Sequence, residues 1–445
     1  MVYFDADKQT EMKDANMKKT LLLQTALVAA ATLIVSEAAF AQVKAEPVAV
    51  SVGGYLTQAI KVQDREKNRT QTDSNSTAIS NDAEIYFNIR GVLDNGTVVG
   101  GRVELEGSST ADQIDERYLF VERADIGRIE LGSTDRAASK MVYGAPIAIP
   151  GYGTVDPTGD LAVTVTPSGA RTSGNLTKFA SAPDDREGIN LYTSANRYFG
   201  SKAGKGLQLG VSYTPDGCED FDAQGSTAST NAGFCGTSKF GSSANAGQIS
   251  KAYTVAANYI ESFGPVDVAL FGGYNRFSIE ADSAGSLTSG SATVFKSSGL
   301  TGYVAGTTLT YNIGDGSSVQ FGGAYKREEM GVTRTGDDKR NVYTAGLRYL
   351  TNGTKSGSIG LGVDFAKTKA DQGNIAGTAV GGEDEYTWYS AGLTYQVATG
   401  VLLFGGLGYY NYDDAISAGT VVAGTAQADN DSKATFGVVG MRLDF

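Results

Sequence analysis

Histidine is absent from this chain of 445 residues, which also contains only two cysteines, one tryptophan and eight prolines. Without histidine, Ser-His and Cys-His catalysis is excluded, and the most common protein ligand of transition metals is missing. Two cysteines, Cys218 and Cys235, are too few to hold a structural zinc ion. We therefore expect no histidine-dependent catalysis and no zinc site.

Long apolar runs are also missing after residue 41, where no stretch reaches the roughly 18 consecutive apolar residues of a transmembrane helix. The apolar run Leu21–Val35 is different, because it follows Met-Lys-Lys and leads into Ala-Phe-Ala at residues 39–41. A basic start, an apolar run and a small-x-small site are typical of a secretory signal peptide rather than of a buried helix or a membrane anchor. We expect 17–41 to be this signal, 1–16 to lie upstream of the true start, and 42–445 to form one domain.

The charge balance restricts the partners. The chain has 37 Lys and Arg against 49 Asp and Glu, a formal net charge of −12. An acidic chain has no overall attraction for nucleic acid, so no nucleic-acid partner is expected. In an exported protein, two cysteines within one Gly- and Ser-rich stretch favour a disulfide between Cys218 and Cys235.

The stretch GGRVELEG (100–107) alternates charged with apolar residues, which is the side-chain pattern of a β-strand. In a soluble sandwich, Val103 and Leu105 would point into a core and the charges into water. In a membrane barrel, the same two residues would point into lipid, and Arg102, Glu104 and Glu106 would line a water-filled lumen. The octapeptide alone is compatible with both.

Similar alternating segments recur to the end of the chain and give about sixteen strands, as expected of an outer-membrane barrel with an even strand number. Tight-turn sequences join some pairs, and long polar stretches join the others in alternation. A soluble sandwich has no reason to sort its connections by length. The predicted strands lie near 48–62, 82–93, 97–107, 116–124, 128–133, 186–195, 206–214, 251–262, 265–279, 298–312, 318–330, 340–350, 356–368, 385–397, 401–413 and 433–445.

The two faces of the strands decide between the alternatives. In SIGLGVDFAK (358–367), Ile359, Leu361 and Val363 share one face, while the residues between and after them on the other face are two glycines, an aspartate and an alanine. Such a face cannot fill a core at interior density. Tyrosines near strand ends, as in 385–390 and 408–414, suit the two membrane interfaces. An Arg102 facing lipid at the midplane would cost roughly 2–4 kcal/mol. The sequence therefore predicts an all-β, antiparallel transmembrane barrel with a polar interior.

Two parts of the sequence resemble the Gram-negative general diffusion porins. AEIYFNIRGVLDNGTVVGGRVELEG (83–107) and RYLFVERADIGRIELGSTDRAASK (117–140) resemble their second to fifth strands. The last residues, FGVVGMRLDF, resemble the C-terminal signature of outer-membrane barrels, in which the terminal Phe445 is recognised by the outer-membrane assembly machinery.

The resemblance implies a homotrimer in the outer membrane of a Gram-negative bacterium, in contact with lipid and lipopolysaccharide, with short periplasmic turns and long extracellular loops. It also implies that the third loop, 134–185, folds into the lumen and narrows the pore. Acidic side chains of this loop would face basic side chains of the wall. The implied constriction residues are Asp156 and Asp160 on the loop and Arg102, Glu104 and Arg117 on the wall. The loop motif Pro-Glu-Phe-Gly-Gly of enteric porins is missing, which leaves the tip of the constriction open, and Asp135, Arg136 and Arg171 are alternative candidates for it.

The expected function is passive diffusion of small hydrophilic solutes and ions, without enzymatic activity, a cofactor or a metal. A substrate-specific porin for phosphate, sugars or another anion is the alternative. A phosphate channel would need a cluster of basic residues in the third loop, but the basic residues there are scattered. A sugar channel would need a track of aromatic residues along the lumen. An outer-membrane hydrolase has no recognisable motif in this sequence, and an adhesin would need a passenger domain or surface repeats.

Overall fold

The computed structural model describes most of the chain, with its first described residue at position 44. The residues described are 44–66, 75–107, 114–151, 186–193, 204–216, 249–279, 287–289, 292–294, 300–329, 339–353, 355–371, 374–375, 378–379, 382–413, 421–422, 425–426 and 431–445. The expected signal peptide, 17–41, and the segment before it lie outside these residues.

Sixteen antiparallel strands form one closed barrel in which each strand pairs with its neighbours in sequence, and the last strand pairs with the first. The number and order agree with the sequence prediction, and each strand falls within a few residues of its predicted position. The strands are β1 (Glu46–Arg65), β2 (Thr77–Val92), β3 (Val98–Glu106), β4 (Ile114–Arg123), β5 (Gly127–Thr134), β6 (Arg186–Thr193), β7 (Gly206–Asp216), β8 (Ile249–Phe263), β9 (Val266–Ile279), β10 (Leu300–Gly314), β11 (Ser317–Glu329), β12 (Lys339–Leu350), β13 (Ile359–Asp371), β14 (Glu383–Ala398), β15 (Val401–Asp413) and β16 (Ser432–Asp444).

The connections alternate between short and long around the barrel. Between β10 and β11 the turn consists of Asp315 and Gly316, whose φ angles of 50° and 88° are the positive values that a tight two-residue hairpin requires. Longer connections carry short two-stranded ladders, at 287–289 with 292–294, 374–375 with 378–379, and 421–422 with 425–426. One end of the barrel therefore has mostly tight turns and the other has the long connections.

Helical structure is confined to one short turn in the described residues, α1 (Ala137–Lys140), which follows β5. No helix in the described part of the chain is both long enough and apolar enough to cross a membrane.

The barrel closes where β1 meets β16. Tyr55 lies opposite Asp444, and the pairing continues to Arg65 opposite Ala434. Two backbone hydrogen bonds of 3.0 Å, one in each direction between Gly54 and Phe445, extend the pairing to the last residue. Closure satisfies the backbone groups that an open sheet edge would expose, which is what a spanning sheet requires in lipid.

The two faces of the wall differ as the alternation predicted. On β13, Leu361 and Val363 are 50% and 51% exposed on the outer face, whereas Asp364 is 5% exposed and Ala366 is 2% exposed on the inner face. Side chains of a closed barrel diverge outside and converge inside, so the buried set is the inner one. Val103 on β3 shares the outer face, and Arg102 and Glu104 face the lumen.

Outer-face tyrosines form two bands near the strand ends, as the sequence predicted for membrane interfaces. At the end with long connections, tyrosines of neighbouring strands lie directly opposite one another: Tyr274 with Tyr303, Tyr325 with Tyr343, and Tyr389 with Tyr409. At the end with tight turns the band includes Tyr311, Tyr349 and Tyr395, all exposed.

Some aromatic residues of the stretches 385–390 and 408–414, whose tyrosines the sequence assigned to the interfaces, instead face the lumen. Strand parity places Trp388 on the inner face of β14 and Phe436 on the inner face of β16, and their ring centroids lie 4.8 Å apart. The expectation that the inner face is small or polar is therefore wrong for the last three strands, and Phe271 of β9 also faces inward. On the last three strands, the inward aromatic residues that are at most 3% exposed are Tyr386, Trp388, Phe404, Tyr410, Tyr412 and Phe436.

Candidate functional site in the lumen

Strands β2 to β5 bring the charged residues of the first half of the chain to one part of the inner wall. Their register places Glu84 of β2 opposite Glu106 of β3, and Arg102 of β3 opposite Tyr118 of β4. Because directly paired residues share a face, the inward charges of three strands form one patch.

A β-bulge adds to the negative charge of this patch. Val103 pairs with Arg117 and Leu105 pairs with Ile114, so two residues of β4, Asp115 and Glu116, lie opposite Glu104 alone. A bulge of this kind redirects side chains. Here, both carboxylates border the lumen.

The patch lines a cavity of about 490 Å³, called the lumen cavity below. Six carboxylates border it against two basic side chains, so its wall is strongly acidic. The lining residues are Glu84, Arg102, Glu104, Asp115, Glu116, Tyr118, Glu130, Asp135 and Lys140.

Arg102 is held on the wall by an ion pair and by an aromatic ring. One of its terminal nitrogens lies 2.6 Å from Oε2 of Glu104, and its guanidinium carbon lies 3.7 Å from the centre of the Tyr86 ring. The Tyr86 hydroxyl donates to Glu84. Because Arg102 is paired with Glu104, its positive charge compensates the negative charge of Glu104. The negative charges of the other carboxylates around the cavity then outnumber the remaining positive charge.

Lys140, at the end of α1, forms a second ion pair beside the cavity, with Glu130. Its Nζ lies 3.0 Å from Oε2 of Glu130 and 2.6 Å from Oγ1 of Thr134. Asn190 of β6 donates to the same Glu130 oxygen at 3.1 Å and to the Asp135 carbonyl at 2.8 Å. These bonds fix the point at which the chain leaves β5 and enters the lumen.

The chain after β5 lies against the inner wall, and residues 137–151 are called the inward segment below. The Ala137 amide donates to Ser212 of β7 at 2.8 Å, and Thr308 of β10 donates to the Gly144 carbonyl at 2.7 Å. Further along, the Ala148 amide donates to Asp364 of β13 at 2.8 Å. The segment thus crosses from β7 to the far side of the barrel on its inner face. The expected tip of the third loop, 152–185, lies outside the described residues.

Of the site residues predicted from the sequence, some face the lumen, one lies on the outer face, and others lie outside the described part of the chain. Arg102 and Glu104 border the lumen cavity, as expected, and so does Asp135, while Arg136 is buried beside it. Arg117 lies on the outer face, because it pairs with the outward-facing Val103. Its assignment to the lumen wall is therefore corrected. The residues Asp156, Asp160, Arg171, Cys218 and Cys235 lie outside the described part of the chain.

Sequence reasoning missed most of the acidic wall. Glu84 and Glu130 alternate with apolar neighbours, as Glu104 does, so the same periodicity could have identified them. For β4 the alternation was ambiguous, since either Glu116 and Tyr118 or Arg117 and Leu119 could face inward. Only the pairing with β3, including its bulge, fixes the choice.

Glu84, Glu106 and Asp115 can bring carboxylate oxygens within 4.8 Å of one another. Oxygen donors of this kind suit Ca²⁺ or Mg²⁺. All three residues are half-buried on the wall of the channel, where their charge acts on passing ions. We therefore assign these three residues to the charge of the wall.

Comparisons with known proteins give a consistent result. A family model described as Gram-negative porin matches residues 25–415. No match to a curated protein was found. The chain resembles an anion-selective porin from Comamonas acidovorans, with 14% identity, a TM-score of 0.52, and coverage of 90% of this chain and 100% of the other. It also resembles the in-vitro folded trimer form of OmpT from Vibrio cholerae, with 16% identity, a TM-score of 0.51, and coverage of 89% and 99%.

A third similar structure is OmpF of Salmonella typhi, in complex with daunomycin. It is 14% identical, with a TM-score of 0.51 and coverage of 89% of this chain and 97% of the other. At these identities the solved structures establish the shared barrel fold.

Proposed function

This chain belongs to the Gram-negative porins, channels of the outer membrane through which solutes diffuse, and from that premise we propose that its lumen favours small hydrophilic cations over anions. Barrels of sixteen to eighteen strands leave an aqueous channel, whereas eight strands fill their own interior. The family and the fold are those of a channel without enzymatic activity.

One observation carries the proposed cation preference: six carboxylates against two basic groups around the lumen cavity. Rings of acidic side chains attract cations and repel anions in a pore. The walls of low dielectric constant strengthen this field, and salt screens it over about 8–10 Å near physiological ionic strength. Negative charge on the wall therefore acts on any ion that passes the cavity.

The same geometry argues against the substrate-specific alternatives. A phosphate channel requires a basic lining, but Arg102 and Lys140 are each paired with a carboxylate. A sugar channel requires a continuous track of aromatic faces that are open to the lumen. Tyr118 borders the lumen cavity, but the inward rings of Trp388 and Phe436 are almost completely buried, so they cannot extend it to a track.

Four finer features are part of the proposal. We expect Asp156 and Asp160 to add acidic charge at the constriction, Cys218 and Cys235 to form a disulfide, and residues 17–41 to be removed on export. We also expect a homotrimer, supported by the family and by the trimer form in which the Vibrio cholerae OmpT structure is described.

Neutralising two half-buried carboxylates of the cavity tests the cation preference. In a planar bilayer with a KCl gradient, the double variant Glu84→Gln/Asp115→Asn should shift the reversal potential toward anion preference. Two unit charges about 8 Å from an ion contribute roughly 0.5 kcal/mol each in water before screening, so the K⁺/Cl⁻ permeability ratio should fall by about two- to fivefold. The shift should shrink in molar salt.

The matched control is Glu385→Gln, which removes a carboxylate from the outer face, where Glu385 is paired with Lys367. It should leave the reversal potential unchanged. Anion preference of the wild type, or identical potentials for wild type and the double variant, would show that the cavity does not set selectivity.

A further inference from the structure

The second half of the inward segment lies directly on the inner wall, and its backbone contacts the backbone of the wall strands. It passes a set of inward-facing glycines on β11 to β15. A Cβ atom at Gly346 would lie 2.6 Å from the Pro146 carbonyl oxygen, and one at Gly362 would lie 2.9 Å from the Cα of Ala148. Added Cβ atoms would also collide with the segment at Gly322, Gly392 and Gly406.

These glycines are neighbours across strands. Gly322 pairs with Gly346, and Gly362 pairs with Gly392, which in turn pairs with Gly406. The wall therefore has a shallow groove without side chains along the path of the segment. The groove allows close approach, but it supplies no side-chain bond of its own.

Two polar side chains beside this groove bond directly to the segment: Thr308 of β10 at Gly144 and, further along, Asp364 at Ala148. Asp364 of β13 is 5% exposed, and its Oδ2 accepts the Ala148 amide at 2.8 Å. Its Oδ1 accepts Ser390 Oγ at 2.6 Å and Trp388 Nε1 at 3.2 Å, both from β14. Within the described part of the chain, the partners of this carboxylate are these three donors.

The arrangement separates two roles. Ser390 and Trp388 fix the carboxylate on the wall through one oxygen, and the other oxygen is directed at the backbone of the segment. Burying a carboxylate is costly unless hydrogen bonds compensate it. A side chain with no role in holding the segment could be apolar here at lower cost. Next to this bond, Ile149 is fully buried in the cluster that contains Trp388 and Phe436.

We propose that Asp364 is the positioning residue that holds the inward segment flat against the wall and thereby keeps the pore at its full width. The inference rests on the proposed channel function. Without the Asp364 bond, the segment can move away from the groove into the lumen, since the remaining contacts at this point are van der Waals contacts with glycines and the packing of Ile149.

Two variants break the same hydrogen bond from opposite sides. Asp364→Ala removes the acceptor, and Ala148→Pro removes the donor while leaving every wall residue unchanged. Because a hydrogen bond to a charged group commonly shifts an equilibrium by about tenfold or more, each variant should increase the time spent at reduced conductance levels by about tenfold. Single-channel recording should also show closures at lower voltages than in the wild type.

The conservative variant provides the rescue. Asp364→Asn removes the charge but keeps an oxygen acceptor for the Ala148 amide, so its conductance should lie much closer to the wild type than that of Asp364→Ala. In an Ala148→Pro background, Asp364→Asn should restore nothing, because the donor is absent. Heat resistance of the folded barrel should stay near wild type throughout.

The outcomes separate the two proposals. Wild-type recordings from both Asp364→Ala and Ala148→Pro overturn the positioning role, as does an Asp364→Asn variant whose conductance is as low as that of Asp364→Ala. If Asp364→Ala fails to fold, Ala148→Pro with the wall intact still decides the question. Reversal potentials measured on the same channels report the cation preference independently, so anion selectivity with an Asp364-dependent conductance would refute only the proposed selectivity.

Discussion

At the scale of single residues, Arg102 and Arg117 show how little residue type says about location. Both are arginines in adjacent strands, yet Arg102 lies opposite Tyr118 in the lumen, whereas Arg117 lies opposite Val103 on the outer face. Arg117 is near the end of β4 at the long connections. A charge there costs little, because the penalty on the outer face falls to about 0–1 kcal/mol near the interfaces.

Replacing these two arginines in turn should give opposite results. Arg102→Ser removes a positive charge from the acidic cavity wall, so the reversal potential in a KCl gradient should move toward stronger cation preference. Arg117→Ser should leave it within experimental error of the wild type. A shift of equal size in both variants would place Arg117 in the lumen and contradict the register of β3 and β4.

At the scale of the element, β13 shows how strand position sets the cost of a charge. Its residue Ile359 lies opposite Tyr395, in the tyrosine band near the tight turns, and Phe365 lies opposite Tyr389, in the other band. Val363 is therefore close to the middle of the apolar zone. Both Ile359 and Val363 are exposed on the outer face.

Arginine substitutions at these two positions test the placement of the membrane. Val363→Arg should lower the free energy of unfolding in lipid vesicles by about 2–4 kcal/mol, and Ile359→Arg by about 1 kcal/mol or less. The two free energies can be compared in urea titrations that measure the folded fraction by electrophoresis without heating, in which the folded barrel migrates separately from the unfolded chain. Equal losses at both sites would mean that the tyrosine bands do not mark the interfaces.

At the scale of the whole molecule, closure of the barrel brings the first and last strands together. Phe445 contributes two backbone hydrogen bonds to Gly54, but its side chain is 64% exposed. The ring therefore adds little packing within the chain. A large effect of losing the ring would indicate that it is recognised by the assembly machinery.

Phe445→Ala separates these two contributions, because it keeps the backbone bonds and removes only the ring. In cells, the amount of folded protein in the outer membrane should drop severalfold. After refolding in detergent, the free energy of unfolding should be within about 1 kcal/mol of the wild type, as for other changes at exposed sites. Normal amounts in the outer membrane would refute the recognition role, and deletion of Phe445 should add the loss of both backbone bonds.

The sequence by itself determined the barrel. Strict alternation over segments such as 100–107, together with tight turns that alternate with long polar connections, fixed the number, order and approximate bounds of the strands. It also fixed which face of β3 and β13 is inside, because an apolar face opposite one of charge and glycine has only one favourable arrangement in a membrane. These are local properties with a period of two residues, and they can be read directly from the chain.

Only the tertiary structure decided the site. The direction of Arg117 depends on its pairing with β3 and on a bulge, and alternation alone fits either parity. The inward aromatic residues of β14 to β16, such as Trp388, are buried because Ala148 and Ile149 of the inward segment pack against them. The contact of Asp364 with Ala148 joins positions 216 residues apart. Such contacts follow from closure and register, which are properties of all sixteen strands together and leave no local signal in the sequence.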